Sequence, residues 1–255
     1  MSHSRPFTDH FAQVAAHYAS HRPTYPAGLF SWLAAQAPSR SLVWDCATGT
    51  GQAALGLAEH FKQVWATDAS EAQIEAATPC ANVQYHAAPA DCSGLPDQSA
   101  DLVTVAQALH WFDLAGFYTE VQRVLKPGGL LAVWTYGVFQ VEGADTAGIQ
   151  ALLDRFYYET VGDCWPPERR HVENGYADLA FPFQQLEPPV CAMAVDWTLD
   201  DLSGYLRSWS ATSRYAALHG VDPVPALAEE LVPYWGSRRH RVVWPLSIKA
   251  GWVAL

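Results

Sequence analysis

Residues 42–51 read LVWDCATGTG. An apolar run ends at Asp45, a loop of small residues follows, and a helix-forming segment opens at Gln52. Asp68 closes the next apolar run along the chain. Glycines let the backbone approach a ligand closely, and a carboxylate after the second strand can accept hydrogen bonds from two ribose hydroxyls. This order of a strand, a glycine turn and a helix predicts a site for a nucleoside cofactor.

The spacing of the glycines separates two kinds of nucleotide site. The dinucleotide fingerprint is Gly-x-Gly-x-x-Gly, and counting from Gly49 and Gly51 the third position holds Ala54. A nicotinamide-dependent oxidoreductase therefore fits less well and stays open as an alternative. An isolated glycine pair also occurs in ordinary strand-to-helix turns, so the interpretation depends on the rest of the chain.

Composition and charge narrow the class of protein. Half of the 255 residues are apolar and 16% are charged, which supports a large core and excludes global disorder. A net charge of −11 argues against nucleic acid as the main partner. The five cysteines show neither a CxxC pair nor metal-ligand spacing, and no apolar run approaches the ~18 residues of a membrane span. We expect a cytoplasmic, metal-free protein with reduced thiols and no membrane contact.

Apolar runs alternate with helical patterns between residues 42 and 136. The predicted strands are Leu42–Trp44, Val64–Thr67, Val83–His86, Leu102–Ala106 and Leu130–Tyr136. The predicted helices are Gln52–Phe61, Ser70–Ala77 with a Ser70–Gln73 capping box, and Asp113–Leu125. Such alternation favours a mostly parallel sheet covered on both faces.

The second half of the chain is less regular. We predict strands at Val190–Trp197 and Val242–Lys249, and helices at Asp200–Tyr215 and Pro225–Trp235. Two late strands with helical insertions suggest a sheet completed by a hairpin and covered by a lid. The predicted organisation is an N-terminal helical lid over residues 1–40, a cofactor-binding α/β core over 41–136, and cap insertions with the last strands over 137–255.

Five features between residues 40 and 136 resemble class I S-adenosylmethionine-dependent methyltransferases in both order and spacing. They are the acid and glycine loop Asp45–Gly51, the acid Asp68, the segment Asp68–Gln73, the pair Ala90–Asp91, and the turn Leu125–Gly129. The resemblance implies an α/β fold with a seven-stranded Rossmann-like methyltransferase sheet, mostly parallel with its last strand antiparallel, and a helical cap. One departure is Ala47, which stands where the family has its first glycine.

The same resemblance implies the cofactor, S-adenosyl-L-methionine, and its product, S-adenosyl-L-homocysteine. Asp45 would face the ammonium group, Asp68 the ribose, Asp91 the adenine amino group, and Arg22 the cofactor carboxylate. The candidate cofactor-binding residues are Arg22, Asp45, Ala47, Gly49, Gly51, Asp68, Ala69, Gln73, Ala90, Asp91 and Gln107.

Segments outside the core resemble the branch that contains trans-aconitate methyltransferase-like enzymes, whose members methylate small molecules, often carboxylates. These segments are Phe11–Tyr18, Arg22–Pro26, Ala106–Phe112 and Tyr205–Ser210. The candidate acceptor-binding residues are Tyr18, His110, Trp111, Arg207 and Trp209, and Arg214 would also suit an anion. His110 is the candidate catalytic residue, as a general base or as a group that orients the acceptor; a plain pocket-wall histidine is equally open.

The predicted function is transfer of a methyl group to a small-molecule acceptor, with a carboxylate oxygen as one candidate. A catalytically silent nucleoside-binding or scaffold protein is the non-enzymatic alternative, because Ala47 and the uncertain base leave it open. The sequence does not distinguish a carboxylate from a phenol or a carbon acid, and it does not indicate an oligomeric state.

Overall fold

The computed structural model describes residues 23–143 and 146–253. Five parallel strands form the centre of its sheet, in the spatial order β3-β2-β1-β4-β5. They are β1 (Leu42–Cys46), β2 (Gln63–Asp68), β3 (Val83–Ala87), β4 (Ala100–Ala106) and β5 (Leu125–Tyr136). Because these strands are parallel, their carboxyl ends meet at one edge of the sheet, which is where open α/β sheets bind ligands.

Four further strands complete the described part of the sheet. They are β6 (Gln140–Glu142), β7 (Gln184–Leu186), β8 (Ala192–Trp197) and β9 (His240–Trp252). The long strand β9 runs antiparallel to β5 and to the three short strands. Val243 pairs with both Gln140 and Ala194, so β6 and β8 lie on opposite edges of β9. Along one edge of β9, β6 follows β5, and along the other edge β8 follows β7. The nine strands therefore occupy seven positions across the sheet. The predicted fold class is confirmed.

Nine α-helices lie in the described residues, and they cover the sheet and form the cap. They are α1 (Ala27–Gln36), α2 (Gln52–Ala58), α3 (Glu71–Glu75), α4 (Leu114–Val124), α5 (Ala147–Arg155), α6 (Arg169–Glu173), α7 (Leu199–Arg207), α8 (Ser210–His219) and α9 (Val224–Trp235). Short 3-10 turns occupy Leu109–Trp111 and Gly162–Cys164, and a π-helical turn occupies Phe156–Thr160.

The single helix predicted over Asp200–Tyr215 is in fact two helices, α7 and α8. Thr198 opens α7 through a capping box with Asp201. The helix ends where the Ser208 amide and hydroxyl both donate to the carbonyl of Tyr205, at 3.0 and 2.6 Å. Trp209 is then extended and begins α8. Local side-chain to backbone bonding of this kind competes with continuation of a helix.

The predicted capping box at Ser70 and Gln73 is wrong. Ser70 is the N-cap of α3 but makes no side-chain capping bond. Its amide donates to Asp68 instead, at 2.9 Å. The Gln73 side chain lies beside the glycine loop, with Oε1 3.7 Å from where a Cβ on Gly49 would be.

Two apolar cores lie on the two faces of the sheet. Neighbouring strand residues alternate between them, with Val43 in one core and Trp44 in the other. The first core joins α1 and α2 to the helices of the cap, and the second lies under α4. Within the described residues, no helix combines the length and apolar character needed to cross a bilayer.

Candidate functional site

The glycine loop after β1 is built from left-handed residues. Ala47, Gly49 and Gly51 have φ angles of +54°, +57° and +92°, and the Thr48 amide donates to the carbonyl of Thr67 at 2.9 Å. These angles turn the chain sharply from β1 into α2. An L-residue other than glycine pays about 1–2 kcal/mol in this conformation, so Ala47 is a strained position in the loop.

Tyr85 of β3 closes the loop from the neighbouring strand. A Cβ on Gly51 would lie 2.3 Å from the Tyr85 hydroxyl oxygen, so only glycine fits there without displacing the ring. The same hydroxyl donates to the carbonyl of Thr78 at 2.9 Å. Sequence reasoning missed Tyr85, because its position opposite Gly51 depends on the pairing of β2 with β3.

Asp45 is a buried acid at the end of β1. Its two carboxylate oxygens accept hydrogen bonds from the hydroxyls of Thr48, at 2.6 Å, and Thr104, at 2.7 Å. Burial raises the pKa of Asp45 to about 6, with a further rise from Asp68, although both hydroxyl bonds act to lower it. Thr104 was not among the predicted site residues, and its only signal in the sequence is a hydroxyl within the apolar run of β4.

Asp68 holds the glycine loop in place. Its carboxylate accepts from the amide of Gly49 and from the amide of Ser70, each at 2.9 Å. The loop and the start of α3 are thereby tied to the end of β2, with exposed Ala69 between them. This clamp lies beside the glycine loop, where the resemblance places the ribose.

The loop that carries Ala90 and Asp91 is fixed from α4. The amide and hydroxyl of Ser93, which is buried, both donate to Oε1 of Glu120, at 2.7 and 2.5 Å. Gly116 lets Asp91 approach the helix, since a Cβ there would lie 3.3 Å from the Asp91 Cβ. The loop that carries the exposed Asp91 is therefore anchored to α4.

The end of β4 is tied to β5 by Gln107. Its amide donates to the carbonyl of Trp134 and its Nε2 to the carbonyl of Tyr136, each at 2.9 Å. Its Oε1 accepts from the Thr135 hydroxyl. With a φ of +59°, Gln107 turns the chain away from the strand. Its side chain and its backbone amide both bond to β5, so a contact with a ligand would be made by its backbone carbonyl.

His110 lies in the 3-10 turn after β4, against a residue from the cap segment. Its Nδ1 lies 3.0 Å from the hydroxyl of Tyr176, and its ring packs on Trp111, which is 38% exposed. Burial lowers the pKa of His110 to about 3, with smaller contributions from Arg169 and His171. So low a pKa favours the orienting role predicted for His110 over the role of general base. At pH 7 the ring is uncharged, with one N–H donor and one acceptor nitrogen.

The structure separates the two candidate acceptor residues of the cap. Arg207 is half exposed, and its Nε donates to Asp222 at 2.7 Å. The Trp209 ring instead packs in an aromatic cluster, with Trp165 at 5.4 Å and Tyr157 at 5.6 Å between ring centroids. Tyr18 and Arg22, the other predicted contacts, lie outside the described residues.

The carboxyl edge of the sheet thus brings together most of the predicted residues that the structure describes. The pairing of β1 with β2 and β4 sets Asp45, Asp68 and Gln107 at neighbouring strand ends. Over residues 23–143 and 146–253, no three His, Cys, Asp or Glu side chains are grouped to hold a metal ion.

Comparison with known proteins gives the family. Residues 44–133 match a family described as "Methyltransferase domain". A Dictyostelium discoideum protein named as a methyltransferase is 35% identical over 228 residues, which cover 89% of this chain and 86% of the relative. A Saccharomyces cerevisiae protein named as an S-adenosylmethionine-dependent methyltransferase, CRG1, is 32% identical over 132 residues, or 48% of this chain and 45% of its own.

A solved structure agrees with the whole fold. It is described as a type II methyltransferase from Anaeromyxobacter dehalogenans and superposes with a TM-score of 0.85 at 44% identity, over 91% of this chain and 98% of that one. The chain belongs to the class I S-adenosylmethionine-dependent methyltransferases. S-adenosylmethionine is its cofactor. The left-handed loop without a Cβ at Gly49 and Gly51, beside Asp68, has the shape and acceptors that an adenosine moiety needs.

Proposed function

We propose that the protein transfers the methyl group of S-adenosylmethionine to a carboxylate oxygen of a small-molecule acceptor. The choice of acceptor is supported by the setting of His110, which lies half-buried against the Tyr176 hydroxyl at the edge where the acceptor would lie. Burial there lowers the pKa of His110 to about 3. A carboxylate is already ionised at neutral pH and needs no base. A phenol or a carbon acid must lose a proton, and a histidine with so low a pKa is a poor acceptor for it.

The neighbour of His110 cannot supply the missing base. Tyr176 is buried beside it, and burial raises the pKa of the phenol above its usual value. The pair is therefore neutral at pH 7, and it can only donate or accept hydrogen bonds. We assign it to orienting the acceptor, which retains one of the roles predicted for His110.

The cofactor supplies a methyl group activated by a positively charged sulfur. For its binding we keep the predicted set: Asp45 toward the ammonium, Asp68 toward the ribose, Asp91 toward the adenine and Arg22 toward the carboxylate. Asp45 suits its role because it is a buried acid whose oxygens are already oriented by two hydroxyls. Holding two reactants in near-attack geometry can lower a barrier by about 7–11 kcal/mol, so positioning alone can supply most of the rate.

The test incubates the purified full chain with S-adenosylmethionine and a panel of small acceptors. The panel pairs each carboxylic acid with its amide and adds phenols and amines of similar size. We expect S-adenosylhomocysteine and methyl esters from acids alone. With S-adenosylmethionine saturating, its ammonium group keeps Asp45 ionised, and the rate should change little between pH 6 and 8 because a carboxylate acceptor needs no deprotonation there.

Two results would count against this proposal. Product from a phenol or amine but from no acid would show a different acceptor chemistry. Cofactor binding without turnover on any acceptor would support the catalytically silent alternative. Asp68→Ala serves as the matched control, since loss of the loop clamp should remove cofactor binding and turnover together.

We also place the enzyme in the cytoplasm. All five cysteines are free thiols, which fits a reducing compartment. Fractionation of cells that express the tagged chain would test this, with recovery in an oxidising compartment as the contrary result.

A further inference from the structure

We propose that Arg169, held over an aromatic shelf of Trp165 and Tyr157, binds the carboxylate of the acceptor beside His110 and Tyr176. This rests on the proposed carboxylate chemistry and names the residue that selects for it. Arg169 was not among the residues predicted from the sequence.

The aromatic shelf holds the guanidinium in place. The Arg169 Cζ lies 4.7 Å from the centroid of the Trp165 ring and 5.6 Å from that of Tyr157. Its Nε donates to the Tyr157 hydroxyl at 2.8 Å, and that hydroxyl donates to Glu173 at 2.6 Å. Arg169 thus uses Nε for the shelf and keeps its two terminal amino groups for another partner, in the fork geometry that matches a carboxylate.

The shelf lies beside the sheet edge. Arg169 begins α6, and α6 packs against β5 and against the 3-10 turn that carries His110. Tyr176 lies three residues after the end of α6, and its hydroxyl lies within hydrogen-bond distance of Nδ1 of His110. The charge of Arg169 also acts on both rings, lowering the pKa of His110 and opposing the rise at Tyr176. Arg169 and Tyr176 therefore belong to one short segment that packs on the turn carrying His110.

Among the described residues Arg169 forms no direct ion pair, and Glu173 is linked to it only through the Tyr157 hydroxyl. Arg207 pairs with Asp222, and Arg155 with Glu230, in ion pairs at the surface. For Arg169 no carboxylate of the described residues lies within ion-pair distance, although the side chain is half-buried. Stacking on a tryptophan compensates only part of the lost hydration. The net charge of −11 repels anions from the chain as a whole, so a guanidinium without a direct carboxylate partner is a local exception that favours a bound anion.

The experiment compares three variants with the wild-type chain: Arg169→Gln, Arg169→Lys and Arg170→Gln. Arg170 is the matched control, because it is the exposed neighbour on the same helix and its change removes the same charge. Titration with S-adenosylhomocysteine first checks that the cofactor site is intact. The KM and kcat are then measured with the best acid of the panel, and binding of that acid and of its amide is measured on the S-adenosylhomocysteine complex.

We expect Arg169→Gln to raise the KM for the acid at least tenfold while the affinity for S-adenosylhomocysteine changes less than twofold. The KM of Arg169→Lys should lie between those of wild type and Arg169→Gln, since lysine keeps the charge but cannot donate two parallel hydrogen bonds to a carboxylate. Arg170→Gln should behave as wild type, and the amide should bind all four proteins with equal weakness. Methylation of the acid with an unchanged KM in Arg169→Gln would overturn the inference and leave the proposed function standing.

Two other outcomes are also decisive. Acid binding that depends on Arg169 without turnover would support the anion site and overturn the proposed function. Parallel loss of folding and cofactor affinity in both Arg169→Gln and Arg169→Lys would show that Arg169 is structural, and would overturn the inference.

Discussion

Asp45 is an acid kept away from water at the point where a strand meets its ligand loop. Both of its oxygens are occupied by hydroxyls, from Thr48 and Thr104, and its side chain is 1% exposed. Hydrogen bonds favour the ionised form and burial disfavours it, and burial prevails, so the pKa rises to about 6. A cationic ligand beside Asp45 would reverse that balance.

This raised pKa predicts how stability depends on pH in the cofactor-free protein. Asp45 ionises near pH 3.8 in the unfolded chain but near pH 6 in the folded one. Because the folded protein binds this proton more tightly, the protonated side chain stabilises the fold fully below pH 3.8. As the pH rises to 6 this stabilisation is lost, and the free energy of unfolding falls by about 3 kcal/mol. Urea unfolding of wild type and Asp45→Asn across pH 4–7 measures it. The stability difference between the two proteins should change over this window, whereas parallel curves would contradict the assigned pKa.

Single residues also show where prediction from sequence stops. The acids Asp45 and Asp68 were identified because each follows an apolar run, and the structure places both at the predicted edge. Arg169 carries no comparable pattern: it lies in an irregular segment, and only packing sets it over Trp165. Arg207, the arginine chosen from the sequence, pairs with Asp222.

At the scale of elements, the turn from β1 into α2 depends on the absence of a side chain at Gly51. Gly51→Ala would place a methyl group 2.3 Å from the Tyr85 hydroxyl oxygen at a φ of +92°. Gly128→Ala is the matched control, since its φ is +73° but no atom lies within 4 Å of the added Cβ. Gly128→Ala should cost about 1 kcal/mol from the backbone alone. Gly51→Ala should cost about 1–3 kcal/mol more from overpacking.

Chemical denaturation gives both costs, and Tyr85→Phe provides a further check. Removing the hydroxyl leaves the nearest ring carbon 3.0 Å from the added methyl, so the double variant should recover part of the loss. Equal costs for Gly51→Ala and Gly128→Ala would contradict the packing argument. Titration with S-adenosylhomocysteine should show weaker binding for Gly51→Ala alone.

Elements with a strong local pattern were predicted well. The five parallel strands and β9 overlap the apolar runs that predicted them, because strand formation here follows from hydrophobic residues bounded by turns. The largest differences are at β5, which begins at Leu125, within the predicted turn Leu125–Gly129, and at β9, which extends beyond Val242–Lys249 at both ends. The break between α7 and α8 was missed. Helical spacing continues through Ser208, and the bonds that end the helix there depend on where Trp209 must point to pack.

At the scale of the whole molecule, the cap and the sheet share one apolar core. A single cluster contains Leu29 of α1, Trp134 of β5, Tyr205 of α7, Leu231 of α9 and Trp244 of β9. Elements that share a core lose most of their buried contacts together. The sequence-based division at residues 40 and 136 stays a prediction about organisation along the chain, and the shared core predicts that these parts do not unfold separately.

We therefore expect one unfolding transition. Tryptophan fluorescence reports on tertiary packing in both parts, through Trp44 and Trp134 in the sheet and Trp209 and Trp235 in the cap. Far-ultraviolet circular dichroism reports on all helices and strands. The two signals should give coincident curves in urea, and S-adenosylmethionine at 100 times its dissociation constant should shift both by the same amount, about 2.7 kcal/mol. Separate midpoints would show that the cap unfolds independently of the sheet.

The sequence by itself determined the class of fold and the cofactor, and it predicted which loop and which acids bind that cofactor. Those features depend on local spacing: a strand, a left-handed turn and a helix follow one another along residues 42–58. Tertiary structure alone decided that Thr104 bonds Asp45, that Tyr85 closes on Gly51, and that burial and the charge of Arg169 lower the pKa of His110. Residues distant in sequence meet there, and burial and charge at a point depend on every element packed around it.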